Sequence, residues 1–151
     1  MLKLYKRIKR VLHYHEAWAD GAKITEHWGI VGKRGKTGLH KRNKKQSEEK
    51  SIKDVLAKPL AEGFKLIDAD DHAILLIEYA IEAMGTTKDL KKRHALEDRM
   101  NETLGWTGLG NCDGGSIGSG TMEVCCFVVD FKIARRVIEA AFGLRHRRAG
   151  T

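Results

Sequence analysis

Two alternating runs hinged on an Asp-Gly pair constrain this chain more than any other feature. In LHYHEAWAD, Leu12, Tyr14, Glu16 and Trp18 fall on one side and His13, His15 and Ala17 on the other. That is the period of two that a β-strand imposes. Asp20-Gly21 follows, a dipeptide that readily takes the backbone of a tight hairpin turn. KITEHWGIVG then places Ile24, Glu26 and Trp28 on one side before its glycines break the run. The pattern predicts an antiparallel hairpin. The turn GKRGKTG leads on to LHKRN, a short third strand. The opening LKLYKRIKRVL also alternates, with Leu2, Leu4, Lys6 and Ile8 together, and reads as an edge strand or the start of the first one.

A helix should come next. Ser47 is placed to cap it, and Glu48 and Glu49 lie in its first turn, where the helix dipole favours anions. Ile52, Val55, Leu56 and Leu60 form an apolar stripe. Pro59 falls inside the pattern and should kink or split the last turn, because it cannot donate a hydrogen bond to Val55. Gly63 ends the helix, and FKLI reads as a returning strand.

DADDH, residues 68–72, separates this half from one of different rhythm. The expected organisation is a domain over residues 1–68, a linker over 69–72 and a second domain over 73–151. In AILLIEYAIEA, Leu75, Ile77, Tyr79 and Ile81 share one side as a strand would place them, while Ile74, Ile77, Ile81 and Met84 fit a helix. Thr86 and Asp89 have capping-box spacing for a helix to about Leu104, with Leu96, Met100 and Leu104 as its stripe. The glycine-rich GLGNCDGGSIGSG reads as a hairpin loop with bulges. TMEVCCFVVD, apolar on both faces, reads as a central strand. Asp130 caps a final helix along Phe131, Ala134, Val137, Ile138, Ala141 and Phe142, and Gly143 stops it. This order is that of a ferredoxin-like split βαβ whose last strand would have to come from LRHRRAGT. The fold class expected is therefore α+β.

Charge divides the chain in the same place. Residues 1–70 hold 17 Lys and Arg against 9 Asp and Glu, whereas the remainder holds 11 of each. The whole excess of +8 sits in the first half, which points to a face meant for a polyanion. Apolar runs such as Ala73–Ile77 are too short to span a bilayer, so no membrane partner is expected. The N-terminal stretch is basic but lacks the apolar segment of a secretory signal. Cys112, Cys125 and Cys126 show no C-x-x-C spacing, and a reduced, cytoplasmic chain is the simplest expectation.

The first half resembles a WGR domain over about residues 10 to 67. KITEHWG followed by VGKRGKTG carries the resemblance, together with EEKSIKDVLAKPLAEGF and its Gly63-Phe64 pair. The family is a small sheet with one covering helix. The resemblance implies a non-enzymatic module that contacts DNA in preference to RNA. Its Trp and Gly carry over to Trp28 and Gly29, while Ile30 stands at the position of the family's arginine. The second half is broadly similar to ferredoxin-like domains of small bacterial proteins, and no functional residue carries over from that likeness.

The nucleic-acid-binding candidates are Trp28, Gly29, Lys33, Arg34, Lys36, Lys41, Arg42, Lys44 and Lys45. Glycines in the turn would let backbone N–H groups approach phosphates, and the cations would supply charge. Trp28 either stacks on a sugar or base, or packs on the sheet beneath the helix. The rival function is protein interaction, as a regulator or immunity-type inhibitor, with a partner or a second copy pairing at an edge of the second sheet. His13 and His15 lack a Cys or acid at metal-site spacing, and DADDH lacks the Gly and Glu of a calcium loop. Cys112 has no neighbouring base. No catalytic residue, cofactor or metal is expected.

Overall fold

The computed structural model describes residues 1–81, 85–118 and 120–143. It is a mixed α+β chain with two antiparallel sheets. It divides into two compact units, Met1–Ala69 and Asp70–Thr151.

In the first unit, β1 (Leu2–Ile8), β2 (Val11–Asp20), β3 (Lys23–Ile30) and β4 (Lys36–Lys41) form a meander in chain order. Its register pairs Leu4 with His15 and His15 with Trp28, and pairs Glu16 with His27. The opening run is thus a separate edge strand, and the strand after the basic turn begins at Lys36. Alternation then sorts the side chains. Leu2, Leu4, Ala17, Ala19 and Ile24 lie on one face, where Ile52, Val55 and Leu56 of the helical segment pack against them with Phe64. Tyr5, Leu12, Tyr14, Glu16 and His27 lie on the other face and are also buried.

The helical segment is divided, with α1 at Glu48–Val55 and α2 at Ala57–Ala61. Ser47 caps α1 by accepting from the Lys50 N–H at 3.2 Å. Pro59 has no N–H to continue the α1 ladder, and Leu56 marks the break with φ −92° and ψ 8°. The break turns Pro59 inward and leaves Leu60 42% exposed, so Leu60 is not part of the apolar stripe. The return through FKLI is one bridge, Tyr5 to Lys65, rather than a strand.

In the second unit, β5 (Ala73–Ala80), β6 (Gly110–Gly118) and β7 (Thr121–Val128) form a sheet of order β5-β7-β6. The strand reading of residues 73–80 prevails; Met84, which the helical one needed, lies outside the described residues. So does LRHRRAGT. Helix α3 (Thr87–Trp106) begins at a capping box in which Thr86 accepts from the Asp89 N–H and Asp89 from the Thr86 N–H. Helix α4 (Phe131–Phe142) is capped by Asp130. Met100, Leu104, Ala134 and Ile138 are buried with Met122, Val124, Cys126 and Val128 of the central strand β7. Phe131, at the first position of α4, is 43% exposed and lies outside that core.

Two expectations about this unit are corrected. The glycine-rich run is itself strand β6, with a bulge between Cys112 and Gly115, and is not a loop. A Cβ at Gly110 would come within 2.0 Å of the Phe127 carbonyl oxygen, and one at Gly115 within 2.1 Å of that of Glu123. Glycine lets these backbones meet. The reduced-thiol expectation also fails: Cys112 and Cys126 are direct cross-strand partners joined by a disulfide, leaving Cys125 as the free cysteine.

Candidate nucleic-acid interface

The basic turn is built by close approach of backbones. After β3, the Val31 N–H still donates to the Leu12 carbonyl at 2.9 Å, and Gly32 then takes φ +94° to reverse the chain. Gly35 lies so near β3 that a Cβ there would sit 2.0 Å from the Trp28 carbonyl oxygen and 2.4 Å from the Tyr14 hydroxyl. Only a glycine fits. Gly29 is also hemmed in, with an added Cβ at 3.0 Å from Gly35 Cα and 3.1 Å from the Tyr14 hydroxyl. Its lack of a side chain lets the turn pack closely on β3.

A buried polar chain holds that turn from beneath. Glu16 accepts from His27 Nδ1 at 2.7 Å, and Lys3 Nζ lies 3.8 Å from the same carboxylate. With its proton on Nδ1, His27 presents Nε2 to the Tyr14 hydroxyl at 3.0 Å. The hydroxyl also has the Lys33 carbonyl within 3.2 Å. Burial pushes the Tyr14 pKa up to about 12, the negative charge of Glu16 adds to the rise, and the Gly35 backbone N–H bonded to its oxygen opposes it. Tyr14 is a neutral anchor at any ordinary pH. The sequence contained the alternation that puts Tyr14 and Glu16 together; which residue of the next strand faced them depended on a register that periodicity does not specify.

On the helix side of the sheet, Trp28 stands opposite Lys36 across β3 and β4. Its ring stacks on His15 with centroids 5.7 Å apart and covers Gly38, where an added Cβ would meet it at 3.4 Å. Glu26 binds Nε2 of His15 through one carboxylate oxygen and Nε2 of His40 through the other, the latter at 2.6 Å. Trp28 is half-buried and shares a face with the helix while sitting among His15, Lys36 and Gly38. His27, placed on the other face, is not part of this group. Among the described residues no cluster of three or more His, Cys, Asp or Glu side chains is placed to hold a metal.

The nine candidate residues do not form one site. Trp28, Lys33, Arg34 and Lys36 come together around the β3–β4 turn, with Gly29 beneath. Lys41, Arg42, Lys44 and Lys45 lie at the other end of β4, five residues or roughly 17 Å further on. Lys36 and Lys41 also project from opposite faces, since their partners Trp28 and Lys23 do. Arg42 is drawn into an ion pair with Glu48 at 3.0 Å and reaches the Gly21 carbonyl at 3.5 Å. The expected single basic face is therefore two clusters.

Tertiary pairing adds cations beyond the nine candidates. The meander brings the β1–β2 turn to the same end of the sheet as the β3–β4 turn, with Arg7, Leu12 and Val31 abreast. Arg7, Lys9 and Arg10 are exposed there. Lys6 is engaged by the Glu62 carbonyl at the end of α2. Residues 6–13 and 29–37, which build this end of the sheet, contain no Asp or Glu.

Fold and site together define a two-unit α+β protein whose first sheet ends in paired basic turns. No family model, curated protein or solved structure matches the chain. The WGR likeness accordingly rests on the motif residues themselves.

Proposed function

We propose that the first unit is a WGR-like, non-catalytic nucleic-acid-binding module, with DNA as the preferred ligand, and that the β3–β4 turn holds the phosphate backbone. One observation carries this reading: Lys33, Arg34 and Lys36 lie on and beside a single turn, close to the half-buried ring of Trp28, with no carboxylate on the turn. The turn's backbone is braced from below by Tyr14, so its cations start from a defined position and lose less freedom on binding. Trp28 offers ring surface beside Lys36 for a sugar or base.

The test is a salt titration of DNA binding by the full chain. Three phosphate contacts at this turn contribute about −2.7 to the slope of log K against log salt on duplex DNA. Replacing Lys33, Arg34 and Lys36 together by alanine should abolish most of that slope. Replacing Lys41, Lys44 and Lys45 should leave it nearly unchanged, because those residues belong to the other cluster. Equal loss from both triple variants would mean diffuse charge attraction, and no binding by the wild type at 50 mM salt would end the reading.

The second reading is protein interaction through the second unit, which we take as ferredoxin-like because β5-β7-β6 is the order of the first three strands of a split βαβ. Ile74 and Leu76 on β5 are 56% and 51% exposed and favour it. The edge to test is β5. The central strand β7 is paired on both sides. Sedimentation of Ile74→Glu and Leu76→Glu variants against the wild type would show whether an oligomer depends on that strand.

A further inference from the structure

We propose that the β1–β2 turn, Lys9-Arg10, is the second half of the phosphate-binding element, and that the two turns together straddle a groove of duplex DNA, one turn to each strand. The proposal rests on the nucleic-acid reading above and goes further by naming the ligand as double-stranded and adding two residues to the site.

The backbone carries the first part of the argument. Ile8 pairs with Val11, so Lys9 and Arg10 alone make the turn. Their φ angles are +50° and +68°, and they are the non-glycine residues with positive φ among those described. A two-residue hairpin loop with both residues in the left-handed region is the type I′ turn, where Asn-Gly is the favoured occupant. Long side chains are disfavoured there. Neither Lys9 nor Arg10 recovers that disadvantage by packing, since both are exposed. The contact shown at the turn is Arg7 Nη1 donating to the Arg10 carbonyl at 3.4 Å, which uses the backbone of Arg10 and not its charge. Poor turn formers held at a tight turn point to use of their side chains.

Position carries the second part. Strands lie about 4.8 Å apart, so the midlines of the β1–β2 and β3–β4 turns are roughly 10 Å apart. That separation places one turn on each wall of a minor groove about 6 Å wide. Lys9 and Arg10 then face one phosphate strand while Lys33, Arg34 and Lys36 face the other. A single strand presents only one backbone and engages only one turn. Ile8 and Val11, which are 38% and 40% exposed, form an apolar shoulder below the first turn. A basic end with an apolar shoulder also suits an anionic lipid surface, which the experiment therefore includes.

The informative variant is Lys9→Asn with Arg10→Gly, which installs the favoured turn while removing both charges. It should fold and melt at or above the wild-type temperature. Binding to a duplex of mixed sequence at low salt should weaken roughly tenfold or more, and the salt slope should fall by about 1.8. Binding to a single strand of the same sequence should be unchanged. Lys9→Glu with Arg10→Glu should lose duplex binding further still. Unchanged duplex binding by the Asn-Gly variant, while Lys33→Ala with Lys36→Ala loses it, overturns this proposal and leaves the nucleic-acid reading standing. Equal weakening on single and double strands overturns the assignment of one turn per strand. A wild-type chain that binds neither nucleic acid, or that binds phosphatidylserine vesicles in preference to both, overturns the proposal together with the reading beneath it.

Discussion

The Tyr14 hydroxyl meets His27 Nε2 at 3.0 Å, in a chain that runs from the buried carboxylate of Glu16 to the carbonyl of Lys33. A polar chain on one face of the sheet thereby fixes the backbone of the basic turn. Tyr14, Glu16 and His27 are buried, so removing one takes a hydrogen bond from a buried polar neighbour.

Tyr14→Phe tests that chain directly. The ring is kept, but the hydroxyl shared among His27 Nε2, the Lys33 carbonyl and the Gly35 N–H is lost. Unfolding by denaturant should show a loss of about 1–3 kcal/mol. Amide exchange of residues 33–36 should accelerate beyond what global destabilisation explains. A variant as stable as the wild type, with unchanged exchange in the turn, would mean that the brace has no structural role.

Alkaline stability should report the same residue. The Tyr14 pKa stands at about 12 against an ordinary value of 10.0, chiefly through burial. The folded state therefore holds its proton more tightly than the unfolded state. Its contribution is complete below pH 10 and is lost as pH rises from 10 to 12. Burial pushes the Tyr5 hydroxyl up as well, with the charges of Glu16 and Tyr14 adding to the rise. Stability should fall through this window in the wild type and fall less steeply in Tyr14→Phe. Parallel curves for the two proteins would contradict the assignment.

Gly35→Ala should be among the most damaging single changes in the first unit. The new methyl would overlap the Trp28 carbonyl and the Tyr14 hydroxyl, so the turn must move away from β3. A loss of about 2 kcal/mol or more is expected, within the range of severe overpacking. Gly21→Ala provides the contrast. Nothing lies within 4 Å of its added Cβ, and only φ +60° opposes it, so about 1 kcal/mol is expected. Thermal melts of the two variants should rank them in that order.

The Cys112–Cys126 bond predicts a redox dependence of stability. It closes a loop with a sequence separation of 14, for which restricting the unfolded chain contributes up to about 3 kcal/mol. Reductant should lower the melting temperature of the wild type and leave a Cys112→Ala, Cys126→Ala protein unaffected. Cys125→Ala should behave like the wild type in both conditions. A melting temperature indifferent to reductant would show that the bond does not stabilise the sheet.

Much of the architecture was legible because it is written in nearest-neighbour chemistry. Alternation placed Tyr14 and Glu16 on one face of a strand, Thr86 and Asp89 announced a helix start, and Pro59 divided a helix where its missing N–H required. The site was legible only in part. Lys33, Arg34 and Lys36 are close in the chain and close in space, whereas Lys41 to Lys45 are close in the chain and separated by the length of β4. Lys9 and Arg10 escaped notice because their residue types argue against the tight turn they make.

What the sequence determined alone is the set of elements and the two faces of each, since periodicity, caps and turn residues act within a few positions. Tertiary structure decided which distant residues meet. It set His27 against Tyr14, bonded Cys112 to Cys126, drew the glycine-rich run into a sheet and brought two basic turns to one end of the meander. Those outcomes depend on strand order and register, which balance backbone hydrogen bonds and burial summed over a whole sheet, and no short stretch of chain carries that sum.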